Sequence, residues 1–297
     1  MKIIENRKKF YMASIIVICI GIISAIFTGF KLDIDFKGGT TIEANLGKTF
    51  DNNEIEKLVK ETIKQEPLIQ KVGTDQKSIS ITTNTISTED MQKIVNKLKE
   101  KYPEMNEPTT KNIQPAFGKE LISSALKAVG FSVLMILIYV AFRFRVMGFT
   151  AGLSAVLALV HDVLIMFTIY TVFKVPVNSV FVAAILTIIG YSINDTLIVY
   201  DRIRENKKKL AKADSAEVIN SSIKDVFTRC VYTSLTTVAC AVVLFIVALI
   251  YNQQVLQDFA FPLIIGLFSG TYSSIFVASP LWFDFENIAN KMKNQKK

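Results

Sequence analysis

The sequence predicts a membrane all-α bundle of six transmembrane helices that carries an external α+β domain. Charged residues make up 20% of the 297 positions, below the roughly 25% of an average soluble domain. They are also segregated, because residues 31–120 hold 29 of them and the 148 positions in and around long apolar runs hold only five. A run of about 20 apolar residues is long enough to cross the hydrocarbon core of a bilayer. These observations exclude a soluble globular protein.

Six apolar runs mark the predicted spans. They lie near residues 10–30, 121–142, 146–170, 177–200, 230–251 and 259–283. The first run is longer than the apolar core of a cleavable signal peptide, about 7 to 15 residues, so we expect it to remain as a helix. The predicted domains are residues 1–30 with the N-terminus and first helix, residues 31–120 as the external domain, and residues 121–297 as a five-helix bundle.

The basic residues of the short connections predict the orientation of the chain. One side of the membrane receives 18 Lys and Arg side chains, from the N-terminus, residues 142–148, the loop 201–229 and the tail 284–297, and the other receives only Lys174. By the positive-inside rule, both termini, that loop and that tail are cytoplasmic, and residues 31–120 lie outside. Basic residues at helix ends meet anionic lipid, so we expect no nucleic-acid binding despite the net charge of +8.

The pattern of residues 31–120 predicts two helices and four strands. Strands are expected at 34–44, 68–72, 78–83 and 110–116, and helices at 51–65 and from 87 or 88 to just before Pro103. Gly38 and Gly39, inside the first strand, indicate a bulge or a close backbone approach. The order β-α-β-β-α-β predicts a ferredoxin-like domain.

Several kinds of chemistry lack the residues that they need. Cys19, Cys230 and Cys240 all lie in or next to apolar spans, and His161, the single histidine, lies in the third span. This excludes a disulfide framework or a thiolate metal site in the external domain, and no phosphate-binding GxxxxGK[ST] segment is present. We therefore expect no cofactor, no metal and no enzymatic activity.

Polar residues inside the spans predict an ion pathway, since an ionisable group in a membrane is costly and faces protein or water. Two helical stripes are expected to face inward. They comprise Thr187, Tyr191, Asn194 and Asp195 in the fourth span, and Arg229, Thr233, Thr236, Thr237 and Cys240 in the fifth. Asp195 lies about 9 Å from the cytoplasmic end, within reach of the long Arg229 side chain. Pairing would keep Asp195 ionised, and separation would leave a desolvated carboxyl that prefers a proton, which is a proton switch. A static ion pair that locks the two helices is the alternative.

His161 and Asp162 form a second polar pair. They lie about 21 Å into the third span from its cytoplasmic end, which predicts a position in the outer half of the membrane. At that depth they would be too far from Asp195 and Arg229 to serve them. The pair is interpreted either as a step in a proton relay or as a hydrogen-bonded structural pair.

Several segments together resemble the SecD/SecF family of protein-export membrane proteins, in particular its SecF members. The first segment is Ile34-Asp-Phe-Lys-Gly-Gly-Thr40, which contains Asp35, Gly38 and Gly39. The later segments follow in the family's order and are Leu159-Val-His-Asp-Val163, Leu186-Thr-Ile-Ile-Gly-Tyr-Ser-Ile-Asn-Asp-Thr196 with Asp201-Arg-Ile-Arg-Glu-Asn206, Arg229 with Thr233-Ser-Leu-Thr-Thr237, and Gly270-Thr-Tyr-Ser-Ser-Ile-Phe-Val-Ala-Ser-Pro280. The resemblance covers essentially the whole chain.

The resemblance implies an accessory subunit of the Sec machinery in a bacterial cell membrane. Such a subunit works with SecD and uses the proton-motive force to promote translocation of secreted proteins. The implied partners are SecD, the SecYEG translocon, YajC, YidC and the translocating preprotein. The family's intramembrane aspartate corresponds to Asp195 and its partner arginine to Arg229. The family's functional unit has twelve spans, so we expect the SecD half to be a separate polypeptide.

Two other functions remain open from the sequence. One is a small-molecule or lipid efflux subunit of the resistance-nodulation-division type, to which the family is distantly similar. The other is a passive scaffold for membrane-protein insertion, in which the Asp195–Arg229 pair is only structural. The coupling ion is also open, because a carboxylate pathway serves Na⁺ as well as H⁺.

Overall fold

A computed structural model describes residues 1–72 and 76–295. Six of its helical segments are long and apolar enough to cross a membrane, as the sequence predicted. The elements are α1 (Ile3–Thr28), α2 (Ile34–Lys37), β1 (Gly39–Asn45), α3 (Asn52–Ile63), β2 (Leu68–Val72), β3 (Ser78–Thr83), α4 (Thr88–Lys101), β4 (Thr109–Ile113), α5 (Pro115–Arg143), α6 (Phe149–Val172), α7 (Ser179–Lys209), α8 (Ser215–Ile250), α9 (Gln254–Ser273) and α10 (Ser279–Gln295). A short 3₁₀ turn, Arg145–Met147, precedes α6, and a π-helical segment, Ser274–Ala278, joins α9 to α10.

Two of the helices extend well past their predicted ends. α7 continues to Lys209, whereas the apolar run ends near residue 200, and α8 begins at Ser215 rather than near 230. Contacts between the two helices hold this extension together, since Arg202 pairs with Asp225 at 2.8 Å. Asn206 also donates to the Ser222 hydroxyl at 3.0 Å. Hydrophobic run length therefore marks the membrane part of a helix and not the whole helix.

The helices divide into an interior set and a peripheral set. In the most apolar windows of α6 and α7 half of the residues are buried, and in that of the sixth span 56% are, against 6–17% for α1, α5 and α8. The interior of the bundle is therefore built by α6, α7 and α9. The peripheral helices keep apolar faces such as Ile26 and Phe131 exposed, which suits lipid or a second membrane chain.

The segment α2–β4, here called the sheet domain, contains a four-stranded antiparallel sheet. The strand order is β2-β3-β1-β4, and the register pairs Ile42 with Ile81 across the central strands. α3 and α4 supply Ile55, Val59 and Ile94 to the core on one face of this sheet. Asp51 and Ser87 cap the two helices through hydrogen bonds to the backbone amides of Asn53 and Asp90.

The start of the sheet domain differs from the sequence prediction. Ile34–Lys37 forms a short helical turn, and β1 begins only at Gly39, although a strand was predicted from residue 34. The turn ends at Gly38, whose positive φ of 78° suits glycine. The alternation of apolar residues is a local pattern and predicted a strand here. Such a pattern does not show that the Asp35 side chain is held by the start of another helix, α7.

Candidate functional site

Asp195 is a buried carboxylate of the membrane helices. It lies on α7, is 5% exposed, and accepts one side-chain hydrogen bond, from the Ser234 hydroxyl of α8 at 3.1 Å. Ser234 in turn accepts a short hydrogen bond from Thr271 of α9. A cavity of about 20 Å³ adjoins the carboxylate, enough for about one water molecule. The carboxylate thus has far fewer donors than it can accept.

Most of the predicted pathway residues line this cavity. They are Tyr191, Asn194, Asp195, Thr233 and Thr237, and they meet Ser192, Ser234, Leu267, Gly270 and Thr271 there. Gly270 allows the close approach of α9 to α7, since a Cβ at this position would lie 3.0 Å from the Ser192 Cβ. We refer to this group of residues as the Asp195 site.

The polar stripes of α7 and α8 do not point into the bundle as predicted. Tyr191 is 48% exposed, and Asn194, Thr233 and Thr236 are also on the outside of these six helices. Asp195 is the buried member of the α7 stripe, and the polar residues that α7 does turn toward the interior, Ser192 and Thr196, lie outside that stripe. The Asp195 site therefore lies just beneath a polar face on the membrane part of the bundle.

Arg229 does not pair with Asp195 in this conformation. Its side chain is exposed, and the ion pairs found among residues 1–72 and 76–295 do not include it. Ser234, rather than Arg229, is the hydrogen-bond donor to the carboxylate. The structure therefore holds the separated arrangement of the two predicted partners, and their roles remain predictions.

Asp162 is the second buried carboxylate, and its surroundings are different. Four side chains supply its hydrogen bonds, from three helices. Ser269 lies 2.7 Å from Oδ1, Ser192 and Ser273 lie 2.6 and 2.8 Å from Oδ2, and His161 Nδ1 lies 3.2 Å from Oδ1. Asp162 is 1% exposed. This Asp162 cluster joins α6, α7 and α9.

His161 extends the cluster to the first helix. Its Nε2 lies 3.0 Å from the Ser14 hydroxyl of α1, and its ring stacks on Tyr272 with centroids 5.9 Å apart. The Tyr272 hydroxyl donates to the Phe10 carbonyl at 3.0 Å. The cluster therefore connects four of the membrane helices through polar side chains.

The expectation that His161 and Asp162 lie too far from Asp195 to reach it is wrong. Ser192 donates to Asp162 and also lines the Asp195 cavity. It is three residues from Asp195, about 4.5 Å along the helix. Depths counted along each span separately could not predict this, because they do not show which turns of α6 and α7 lie side by side.

Serine hydroxyls donate most of the hydrogen bonds to the two carboxylates, and the sequence did not predict these contacts. Ser192, Ser234, Ser269 and Ser273 all bond to one of the two carboxylates. The spacing of Ser269 and Ser273, four residues apart on one helix face, was the available signal. Serine is common enough in membrane helices that this spacing alone does not predict a carboxylate partner.

Asp35 belongs to a third site, where the sheet domain meets the bundle. It lies on α2, is 1% exposed, and contacts the start of α7. There Ser179 donates its backbone N–H to the Asp35 carboxylate at 2.9 Å and also donates its hydroxyl. Lys111 of β4 forms an ion pair with the same carboxylate. Burial acts to raise the pKa of Asp35, but the hydrogen bonds from Lys111 and Ser179 outweigh it and lower the pKa below its ordinary value.

Comparison with known proteins identifies the family. The model of "Protein export membrane protein SecD/SecF, C-terminal" matches residues 93–288. The chain is 34% identical to the protein translocase subunit SecF of Sebaldella termitidis over 300 residues, covering 100% of this chain and 95% of that protein. It is 33% identical to the SecF of Rhodothermus marinus, covering 94% of this chain and 91% of the relative.

Longer relatives contain the same unit as one part. The SecDF of Bacillus subtilis is 33% identical over 283 residues, which cover 94% of this chain but 37% of that protein. The crystal structure of SecDF from Thermus thermophilus, a translocon-associated membrane protein, matches with a TM-score of 0.83 and 31% sequence identity. The match covers 97% of this chain and 39% of the SecDF chain. The chain described here belongs to the SecD/SecF family of protein-export membrane proteins.

Proposed function

We propose that this chain is the SecF half of a motor that, together with SecD, uses the proton-motive force to promote translocation of secreted proteins. The family model over residues 93–288 and the SecF relative matched over the whole chain support an accessory role in Sec protein export. The observation that carries the coupling mechanism is the buried Asp195 carboxylate, which accepts one side-chain hydrogen bond beneath a polar surface. We propose no enzymatic activity for it.

The proposed coupling step is binding and release of a proton at Asp195. When Arg229 lies apart from Asp195, as here, a proton on the carboxyl removes the cost of an isolated buried charge. When the arginine approaches, the guanidinium stabilises the carboxylate and the proton leaves. One charge that crosses 100 mV supplies about 2.3 kcal/mol, which is sufficient to bias the arrangement of a few helices.

The polar face over the Asp195 site supports SecD as the partner that covers it. Tyr191, Asn194 and Thr233 are exposed on the membrane part of the bundle, where lipid would leave polar groups unpaired. In the Bacillus subtilis relative the matching unit is part of one SecDF chain. A separate SecD with a matching six-helix pattern is therefore the proposed cover for this face.

The external placement and fold of the sheet domain are also proposed. The strand order β2-β3-β1-β4, with α3 and α4 on one face, supports a ferredoxin-like domain. The distribution of basic residues supports cytoplasmic termini and an outer sheet domain. There the domain would lie near the preprotein as it leaves the SecYEG translocon.

A cysteine-labelling experiment tests this orientation. In a chain without its three native cysteines, a cysteine at Ser78 should react with an impermeant reagent added to intact cells. A cysteine at Lys209, at the end of α7, should react only after permeabilisation. The opposite pattern would overturn the orientation and the external placement of the sheet domain.

The function itself is tested by export into inverted membrane vesicles that contain the Sec translocon. Addition of this chain with SecD should increase the translocation of a secreted preprotein only when a proton gradient is present, and collapse of the gradient should remove the increase. Stimulation that persists without the gradient would support a scaffold instead. Export of small apolar compounds in place of preprotein would support the efflux function.

A further inference from the structure

The sheet domain is fixed to the bundle by a small group of contacts that we call the joint. It consists of residues 31–39, Lys111, residues 114–118 and residues 177–179. The chain enters the sheet domain through the first of these segments and leaves it at Pro115, where α5 begins. Both covalent connections therefore pass through the joint.

The first component of the joint is a backbone clamp. Val177, just before α7, donates its N–H to the Lys31 carbonyl at 2.8 Å and accepts from the Asp33 N–H at 2.9 Å. These bonds form a parallel bridge between Leu32 and Val177. The segment that follows α1 is thus paired with the segment that leads into α7.

The second component is the Asp35 carboxylate at the N-terminus of α7. A carboxylate is favoured there because the first N–H groups of a helix are unpaired and the helix dipole is positive. Asp35 uses one oxygen for Ser179 and the other for Lys111 of β4. One side chain therefore holds both the start of α7 and an edge strand of the sheet.

The third component is close backbone packing against the start of α5. A Cβ at Gly38 would lie 2.8 Å from the Pro115 Cα, and one at Gly118 would lie 2.5 Å from the Phe36 carbonyl oxygen. Neither position has room for a larger residue unless the backbone shifts. The joint is therefore rigid where α2 and α5 meet.

Beyond the joint, the sheet domain is separated from the bundle by a cleft. The cleft has a volume of about 850 Å³ and lies between the sheet face that bears Glu43 and Ser80 and the membrane-helix ends that bear Asn252 and Asp258. Firm attachment on one side and open space on the other is the geometry of a hinge. Movement of the start of α7 would therefore tilt the sheet domain over the cleft.

α7 links this hinge to the Asp195 site. It runs without interruption from Ser179, which Asp35 holds, to Asp195 and beyond. The two residues are 16 positions apart, about 24 Å along a helix. We propose that Asp35 is a positioning residue that transmits movement of α7 at the Asp195 site to the sheet domain. This inference rests on the proposed function.

The test separates ion movement from export in the complex with SecD. Proteoliposomes report proton uptake, and translocon-containing vesicles report gradient-dependent export. Asp35→Ala should leave Asp195-dependent proton uptake unchanged and abolish the gradient-dependent part of export. Asp35→Asn still accepts from Ser179 but loses the ion pair with Lys111, so its export should be intermediate. Asp33→Asn is the matched control, since Asp33 takes part in the clamp through its backbone N–H and its side chain is in none of the ion pairs of the described residues, so it should retain both activities.

One spin label on the sheet domain and one on α5 near Arg143, far from the joint, provide a second measurement that does not depend on export. Their distance distribution should be broader in Asp35→Ala than in the unaltered complex or in Asp33→Asn. Equal loss of proton uptake and export in Asp35→Ala, or full retention of both, would overturn the role of the joint in transmission. Absence of gradient-driven proton uptake in the unaltered complex would instead overturn the proposed function.

Discussion

Two carboxylates, Asp162 and Asp195, are buried in neighbouring membrane helices and differ in their supply of hydrogen bonds. Among the residues that the structure describes, four side chains form hydrogen bonds with Asp162, namely Ser192, Ser269, Ser273 and His161, and one, Ser234, does so with Asp195. An ionised carboxylate has about four acceptor positions, so the first is saturated and the second is not. Both are almost fully buried, so burial does not explain the difference.

From this difference we propose that Asp195, and not Asp162, is the carboxylate that exchanges protons. A saturated carboxylate gains nothing from a proton, which would turn an acceptor into a donor among groups that already donate. An unsaturated one depends on an additional proton or cation for its stability. We interpret the Asp162 cluster as a fixed point that holds α6, α7 and α9 together. We propose that the Asp195 site, about one helical turn further along α7, is the part that changes.

The largest effect is expected from Asp195→Asn. Asparagine has nearly the same shape and still accepts from Ser234, but it cannot bind and release a proton. Gradient-dependent export should fall to the level without this chain, whereas membrane insertion and co-purification with SecD should be unchanged. Export at the normal level would contradict proton exchange at Asp195 and favour the scaffold function.

Asp162→Ala should have the largest effect on stability. It removes the acceptor of three serine hydroxyls, and each buried donor left unpaired costs about 1–3 kcal/mol. Thermal unfolding of the purified complex should therefore shift strongly. Asp195→Ala, the matched control, leaves only Ser234 without its acceptor and should shift it far less. Equal shifts would show that the two sites are not different in kind.

Arg229 variants sharpen the account of the Asp195 site. Because the Arg229 side chain is exposed, neither Arg229→Lys nor Arg229→Gln should affect folding. Lysine keeps the charge and loses the bidentate guanidinium geometry, so export should fall severalfold, and glutamine should abolish its gradient dependence. These effects are measured in the vesicle export assay. Unchanged export with Arg229→Gln would mean that a group other than Arg229 causes Asp195 to release its proton.

Glu43, outside the membrane, offers a smaller test of the same principle. It is half-buried in the cleft with Ser80 as its donor at 3.4 Å. Burial, followed by repulsion from Asp258 and Asp33, raises the pKa of Glu43 although the Ser80 hydrogen bond opposes it. The folded state therefore binds the proton more tightly than the unfolded state, so this group destabilises the fold as pH rises through that pKa.

Glu43→Gln should consequently stabilise the sheet domain at pH 7 and have little effect at pH 4. The gain should be below about 1 kcal/mol, since the group is partly solvated. Hydrogen exchange of the β1 and β3 amides at the two pH values provides the measurement. A gain of equal size at both would point to packing rather than charge.

The sequence was sufficient to predict the spans and the order of the sheet elements, but not the polar contacts. Long apolar runs and their flanking basic residues are local signals, and the six helices follow from them. The direction of the Tyr191 stripe is not local, because it depends on which side of α7 packs against α9. The reach of Asp162 to Ser269 depends on a helix more than a hundred residues away. The role of Asp35 as a cap for α7 was hidden for the same reason.

Proton uptake by proteoliposomes that contain this chain and SecD tests the central distinction most directly. Under an imposed potential, uptake should be abolished by Asp195→Asn and retained by Asp162→Asn in complexes that remain assembled. The chain without SecD should show little uptake, because its polar face is then uncovered. Uptake that survives Asp195→Asn, or that is lost in an assembled Asp162→Asn complex, would contradict the assignment of exchange to Asp195 and of a fixed structural role to Asp162.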